Sequence, residues 1–178
     1  MLYLFGFERI GVVLSDLYFV DPDPAPGQEG AERGVRLELR QLREGELNGS
    51  IYSARPIGIE APIWRVDLLE TADGPPASFD RTHHHPRFRG WEPSARAFAP
   101  ELSADPVEWV GKQLRDVDPL LREARFDSAE LGARDADDLR AAVPEILGCL
   151  RRTLTAVHEG RLAKAPDESV ASARLSWL

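Results

Sequence analysis

The feature that most constrains the fold is a change in the spacing of apolar residues near residue 105. Before it, the chain shows the two-residue alternation of antiparallel strands, clearest where Val35, Leu37 and Leu39 alternate with charged residues. After it, apolar residues recur every three or four positions, as on one face of a helix. Because strands come first and helices last, the order predicts an α+β domain. We expect a mostly antiparallel sheet of about five strands in the N-terminal two-thirds, covered on one face by two C-terminal helices.

The same patterns divide the chain into consecutive regions. We expect a single α+β domain over residues 1–160, followed by a C-terminal arm or tail over residues 161–178. The parts of the domain are a sheet, an irregular segment rich in His and Arg, and two helices, over residues 1–70, 71–104, 105–124 and 135–159. A chain of 178 residues buries enough surface to fold without a disulfide or a structural metal.

Helix signals are clear in the C-terminal third. Asp105, Pro106 and Glu108 supply an N-cap acid, a proline at the first helical position and a glutamate three residues after the cap. The second helix begins near Asp135 and contains Pro144. Because proline lacks an amide hydrogen, we expect a kink or a new start there.

Composition excludes several classes of protein. The net charge is −8, so the basic surface of a general nucleic-acid binder is not expected. The single cysteine, Cys149, cannot form an intramolecular disulfide. The apolar N-terminus is interrupted by Glu8, Arg9 and Asp16, which argues against a signal peptide, and no apolar run is long enough for a membrane helix. These observations predict a soluble cytoplasmic protein.

The segment whose side chains are best suited to metal binding or catalysis runs from Asp80 to Arg89 and contains three consecutive histidines. In an extended chain His83 and His85 point to the same side, so their imidazoles provide two ligands for one divalent metal. Asp80 or Asp67 is the candidate third ligand, and two nitrogens with one oxygen suit Zn²⁺ or Fe²⁺. The alternative is a solvated loop whose histidines contact water and neighbouring carboxylates.

The preceding strand places charged side chains opposite apolar ones. Alternation directs Trp64, Val66 and Leu68 to one face and Arg65 and Asp67 to the other. If the sheet curls around the charged face, these groups lie at the mouth of a pocket. The candidate catalytic residues are then Arg65, Asp67, His83 and His85. The alternative for Arg65 and Asp67 is a set of structural ion pairs with neighbouring strands.

A small basic island surrounds the histidines. Guanidinium groups bind anions, and an aromatic ring beside them stacks on a base or on a guanidinium. The candidate ligand-binding residues are Arg81, Arg87, Arg89 and Trp91.

The order of these features resembles small bacterial toxins of toxin–antitoxin pairs with a RelE-like or TumE-like layout. The resemblance covers about residues 60–120 and consists of a strand with Arg65 and Asp67, a loop, the histidine run and a helix. It implies an endoribonuclease in which these residues hold and cleave RNA. Histidine would then transfer protons, and arginine would hold the scissile phosphate.

Three functional hypotheses therefore remain open. The first is a domain that binds a ligand or a metal near His83–His85, and the second is the RNA-cleaving enzyme. The third is a protein-interaction module, with homo-oligomers formed through a sheet edge or the C-terminal arm. The residues alone define neither a substrate nor whether the protein is an enzyme.

Overall fold

A five-stranded antiparallel sheet forms the N-terminal part of the protein, and its strands are neighbours in chain order. The computed structural model describes residues 1–45 and 56–166. The strands of this sheet are β1 (Leu2–Gly6), β2 (Ile10–Val20), β3 (Ala31–Glu44), β4 (Ile57–Thr71) and β5 (His83–His85). A separate two-stranded hairpin is made by β6 (Phe88–Arg89) and β7 (Glu92–Pro93). The predicted α+β class, with its sheet of about five strands, is confirmed.

The C-terminal part of the described chain is helical. Its elements are α1 (Pro100–Ala104), α2 (Pro106–Arg115), α3 (Val117–Ala124), a 3-10 helix (Ser128–Glu130) and α4 (Asp135–His158). The Asp105 carboxylate accepts a hydrogen bond from the Glu108 amide at 3.1 Å, as its predicted N-cap role requires. The expected helix over 105–124 is in fact two helices, which meet at Asp116. The expected new start at Pro144 does not occur, because α4 runs through this residue.

The main core lies between one face of the sheet and the helices. Alternate residues of β2, β3 and β4 are buried there against apolar side chains of α2 and α4. Trp64 of β4 stacks on Trp109 of α2, with ring centroids 6.0 Å apart. Cys149 of α4 is part of this core, where it packs as a small buried side chain.

The opposite face of the sheet is charged yet buried. Alternation in β3 predicts a solvated face here, but Glu38 is only 4% exposed. The reason is a second layer formed by the chain after β5, which crosses this face. Phe88 lies over Arg65 and Trp91 lies over Arg40, at 5.0 and 5.2 Å from ring centroid to guanidinium carbon. Charged side chains on this face are therefore held in a protein environment rather than in water.

Asp135 connects the start of α4 to the first hairpin of the sheet. Its side chain is fully buried and accepts hydrogen bonds from the backbone amides of Glu8, Arg9 and Gly132. These bonds satisfy amides of the β1–β2 turn and of the approach to α4, which have no strand partner.

We expect Asp135→Ala to lower the free energy of unfolding by about 3 kcal/mol, because it leaves the part-buried amides of Glu8, Arg9 and Gly132 without their acceptor. Asp137→Ala is the matched control. Asp137 lies in the same first turn of α4, but its side chain is 82% exposed and, among the described residues, pairs only with Arg140. Urea denaturation measures both variants, and equal effects would contradict the role assigned to Asp135.

Candidate metal centre

Antiparallel pairing of β4 with β5 brings three metal-ligating side chains together. Asp67 lies directly opposite His83, and Arg65 lies opposite His85. Because alternate residues of a strand share a face, Asp67 and both histidines point to the charged side of the sheet. The Asp67 Oδ2 atom is 3.6 Å from His83 Nε2 and 3.7 Å from His85 Nε2. One ligand atom from each of the three residues lies within 4.8 Å of the other two.

The Asp67 carboxylate is oriented by Arg36 on the neighbouring strand. Arg36 Nε donates to Oδ1 at 2.7 Å and Nη2 donates to Oδ2 at 3.0 Å, a two-point contact that fixes the plane of the carboxylate. Burial by itself raises the pKa of Asp67, but the neighbouring side chains of His85 and Arg36 outweigh it and hold that pKa below its ordinary value. Asp67 is therefore a carboxylate at neutral pH.

Both imidazole rings are fixed through their other nitrogen. His83 Nδ1 is 2.8 Å from the backbone oxygen of Arg81, and His85 Nδ1 is 2.6 Å from that of Ser94. A backbone carbonyl only accepts hydrogen bonds, so each Nδ1 carries the hydrogen. In the neutral ring, Nε2 then presents a lone pair, and in both residues it faces Asp67. Metal-binding histidines in proteins are commonly held by such a contact from the remote ring nitrogen.

The neutral form of His83 is favoured by its surroundings. Burial lowers the pKa of His83 to about 4, although the negative charge of Asp67 opposes this shift. Its Nε2 lone pair therefore faces a carboxylate oxygen at neutral pH. Two ligands bound to one Zn²⁺ at ordinary distances are about 3.0–3.5 Å apart, close to the separations from Asp67. The donor set and its spacing suit a divalent transition metal.

The three side chains lie beneath the second layer. The residues Asp67, His83 and His85 are 1%, 2% and 7% exposed. The Phe98 ring lies 5.8 Å from the His83 ring, and the Phe88 ring lies 6.4 Å from the His85 ring. The centre is therefore shielded from bulk water by aromatic side chains.

Ion pairs between arginine and glutamate side chains surround the centre. Glu38 is shared between two arginines, since Oε1 accepts from Arg65 Nε at 2.7 Å and Oε2 accepts from Arg40 Nε at 2.7 Å. On the other side, Arg96 donates to Glu32 at 2.9 Å. The alternative interpretation of Arg65 and Asp67 as members of cross-strand ion pairs describes this geometry correctly.

Asp80 and the predicted residues of the basic island lie outside this cluster. Asp80 is not part of it, because it lies in the loop before β5 and accepts hydrogen bonds from Thr71 and Ser78. Arg81 donates to the backbone oxygen of Gly27 and to the Thr71 hydroxyl, and so connects β4 to the β2–β3 loop.

The remaining candidates of the basic island are exposed. Arg87 and Arg89 lie on the outer side of the β6–β7 hairpin, where Arg89 pairs with Glu92 at 2.9 Å. Trp91 is 64% exposed, and its ring contacts Arg40 rather than the histidines.

The sequence interpretation missed the residues that support the cluster. These are Arg36, Glu38 and the backbone carbonyls of Arg81 and Ser94. A signal for the first two was present, since Arg36, Glu38 and Arg40 alternate along one strand. No sequence signal marks a carbonyl that fixes a histidine ring.

Comparisons with known proteins identify no relative. A scan against protein-family models, a search of curated proteins and a search of solved structures each found no match. Within residues 1–45 and 56–166, no helix is both long and apolar enough to cross a membrane.

We expect the metal-free protein to lose stability as the pH falls from about 6.5 to about 4. The pKa of His83 is about 4 in the folded state and 6.5 as its ordinary value, so the unfolded chain binds more protons in this window. The stabilisation is thus complete above the upper value and is lost below the lower one. It amounts to a loss on the order of 3 kcal/mol.

Urea denaturation at several pH values in the presence of a chelator measures this dependence. His83→Gln removes the titrating group, and its stability is expected to change less over the same window. A pH dependence unchanged in the variant would show that His83 is not the group responsible.

Proposed function

We propose that Asp67, His83 and His85 bind one divalent transition-metal ion, and that this is the function of the domain. The observation that carries the proposal is the convergence of one ligand atom from each of three buried residues within 4.8 Å, with Asp67 Oδ2 at 3.6 and 3.7 Å from the Nε2 atoms of His83 and His85. The hydrogen bonds on the opposite side of each ring and of the carboxylate support it, because they hold all three groups in a ligating orientation.

A metal satisfies these groups better than a proton or a water molecule does. A proton on one Nε2 gives a single hydrogen, and a water molecule donates only two. Three acceptors that face one another require three favourable contacts. A divalent cation makes all three at once and also offsets the cost of burying the carboxylate.

The ligand set favours zinc or ferrous iron. Imidazole suits Zn²⁺, Fe²⁺, Cu²⁺ and Ni²⁺, and two histidines with one carboxylate are typical of zinc and non-haem iron sites that keep open positions. Three protein ligands among the described residues leave at least one position for a further molecule. An arrangement of this kind is found in catalytic metal sites more often than in structural ones.

The other hypotheses stay predictions. Burial of His83 and Asp67 beneath the second layer does not favour cleavage of a polymer such as RNA, which needs an open groove. The predicted cytoplasmic location and the predicted oligomers through a sheet edge or the C-terminal arm also stay predictions. Residues 167–178 of that arm lie outside the described residues.

Elemental analysis of untagged protein, purified without chelator, tests the proposal. We expect one zinc or iron ion per chain in the wild type, and loss of that ion in His83→Ala and His85→Ala. His84→Ala is the matched control. His84 lies between the two proposed ligands but points to the other face, where its ring lies 5.2 Å from that of Trp109.

Folding of the variants is checked by a thermal shift. Zn²⁺ added after chelator treatment is expected to raise the melting temperature of the wild type and of His84→Ala, because the ion binds only the folded state. It is expected not to raise that of His83→Ala or His85→Ala. Absence of metal and of any thermal shift in the wild type would refute the proposal, as would equal loss in His84→Ala.

A further inference from the structure

We propose that a small oxyanion, a carboxylate or a phosphate group, binds the metal at its open position and is held there by Arg65. The inference rests on the proposed metal site and adds the class of molecule that completes it. It is carried by the charge around the centre, by the unused donors of Arg65, and by a cationic cavity outside Phe88.

The charge balance around the centre favours a bound anion once a metal is present. The face carries four arginines, Arg36, Arg40, Arg65 and Arg96, against three buried carboxylates, Glu32, Glu38 and Asp67. A fourth acid, Asp21, approaches Arg96 at 3.7 Å from the β2–β3 loop. Without a metal these described groups balance, and a divalent ion adds two positive charges in a poorly hydrated place. Uncompensated buried charge is costly, so a bound anion favours the loaded state.

Of these four arginines, Arg65 has the most donors without an acceptor among the described residues. Among the described residues its only hydrogen bond is the one that Nε donates to Glu38, and both terminal nitrogens are left without an acceptor. Arg40 binds the same carboxylate but uses all three nitrogens, since it also donates to the backbone oxygen of Glu60. Arg65 lies opposite His85 in the β4–β5 register, which puts its side chain next to a proposed ligand.

Phe88 separates Arg65 from an external cavity. Its ring covers the Arg65 guanidinium, with 5.0 Å between the ring centroid and the guanidinium carbon. On its outer side, a cavity of about 450 Å³ is bordered by Arg87, Arg89 and Arg125. Among the described acidic residues only Glu92 borders it, and Glu92 already pairs with Arg89.

This cavity concentrates anions at the surface of a protein whose net charge is −8. Ser94 also borders it, and the Ser94 carbonyl is the group that fixes His85. The cavity and the metal centre are thus two sides of one thin layer. A displacement of the Phe88 ring would connect them.

Cobalt-substituted protein provides the test, because the visible spectrum of bound Co²⁺ reports its coordination. Titration with inorganic phosphate, and separately with acetate, is expected to change the spectrum to saturation for at least one anion. We expect Arg65→Gln to weaken anion binding about tenfold or more, since it removes a charged hydrogen-bond donor. Arg40→Gln is the matched control and is expected to stay within about threefold of the wild type, because the donors of Arg40 are already engaged.

The affinity for Co²⁺, measured by competition with a chelator, separates the two proposals. Failure of Co²⁺ to bind would refute the metal site itself. Binding of Co²⁺ without a response to either anion would refute only the oxyanion, and equal weakening in Arg40→Gln would refute the role of Arg65. Arg65→Lys guards against misfolding, because it keeps the charge but loses the planar fork, and an intermediate affinity is expected. A response to phosphate alone or to acetate alone supports the proposal and identifies the group.

Discussion

The ion pair between Arg36 and Asp67 is the interaction on which the charged side of the sheet depends. A buried carboxylate without a partner would take up a proton and lose its value as a ligand. Arg36 keeps it ionised and fixes its plane through two hydrogen bonds, while Oδ2 stays directed at the histidines. The pairing of β3 with β4 sets this contact, because Arg36 and Asp67 are direct neighbours in the register. The geometry of the centre is thus a property of the sheet rather than of a loop.

The short strand β5 joins this sheet to the layer that covers it. Its outer side chains, His83 and His85, point toward Asp67, while the backbone of His84 exchanges two hydrogen bonds with Ala97, both 2.9 Å long. The Ser94 carbonyl that receives the His85 hydrogen belongs to the same covering segment. A change in the covering layer would therefore alter the orientation of a proposed ligand. In turn, an ion bound to His85 would stabilise the covering segment in this position, because the His85 ring would contact both the ion and the Ser94 carbonyl.

Local patterns in the sequence predicted the fold class and the common side to which His83 and His85 point. Long-range contacts account for what these patterns missed. Alternation showed that His83 and His85 point to the same side of their segment, and that Asp67 points away from the apolar face of its own strand. It did not show that β5 pairs with β4, which places Asp67 rather than Asp80 beside the histidines. The alternation at Glu38 was equally clear, but whether that face meets water depends on a segment about fifty residues later in the chain. Similarly, helix signals located α2 and α4 well, whereas the break at Asp116 lay within a continuous helical pattern.

The arrangement is poorly explained by stability alone. A buried ion pair adds little to stability in general, because the cost of desolvation offsets the attraction, and an apolar pair of similar volume often serves as well. Here the cost is greater, since the Nε2 lone pair of neutral His83 faces the same carboxylate with no hydrogen between the two groups. Groups held at a local cost in free energy are more often found where a ligand later repays it. Each of the three groups is also fixed from behind by a donor or a carbonyl, a degree of restraint that a purely structural network does not need. The same reasoning applies to Arg65, whose terminal nitrogens have no acceptor among the described residues, while all three nitrogens of Arg40 are engaged.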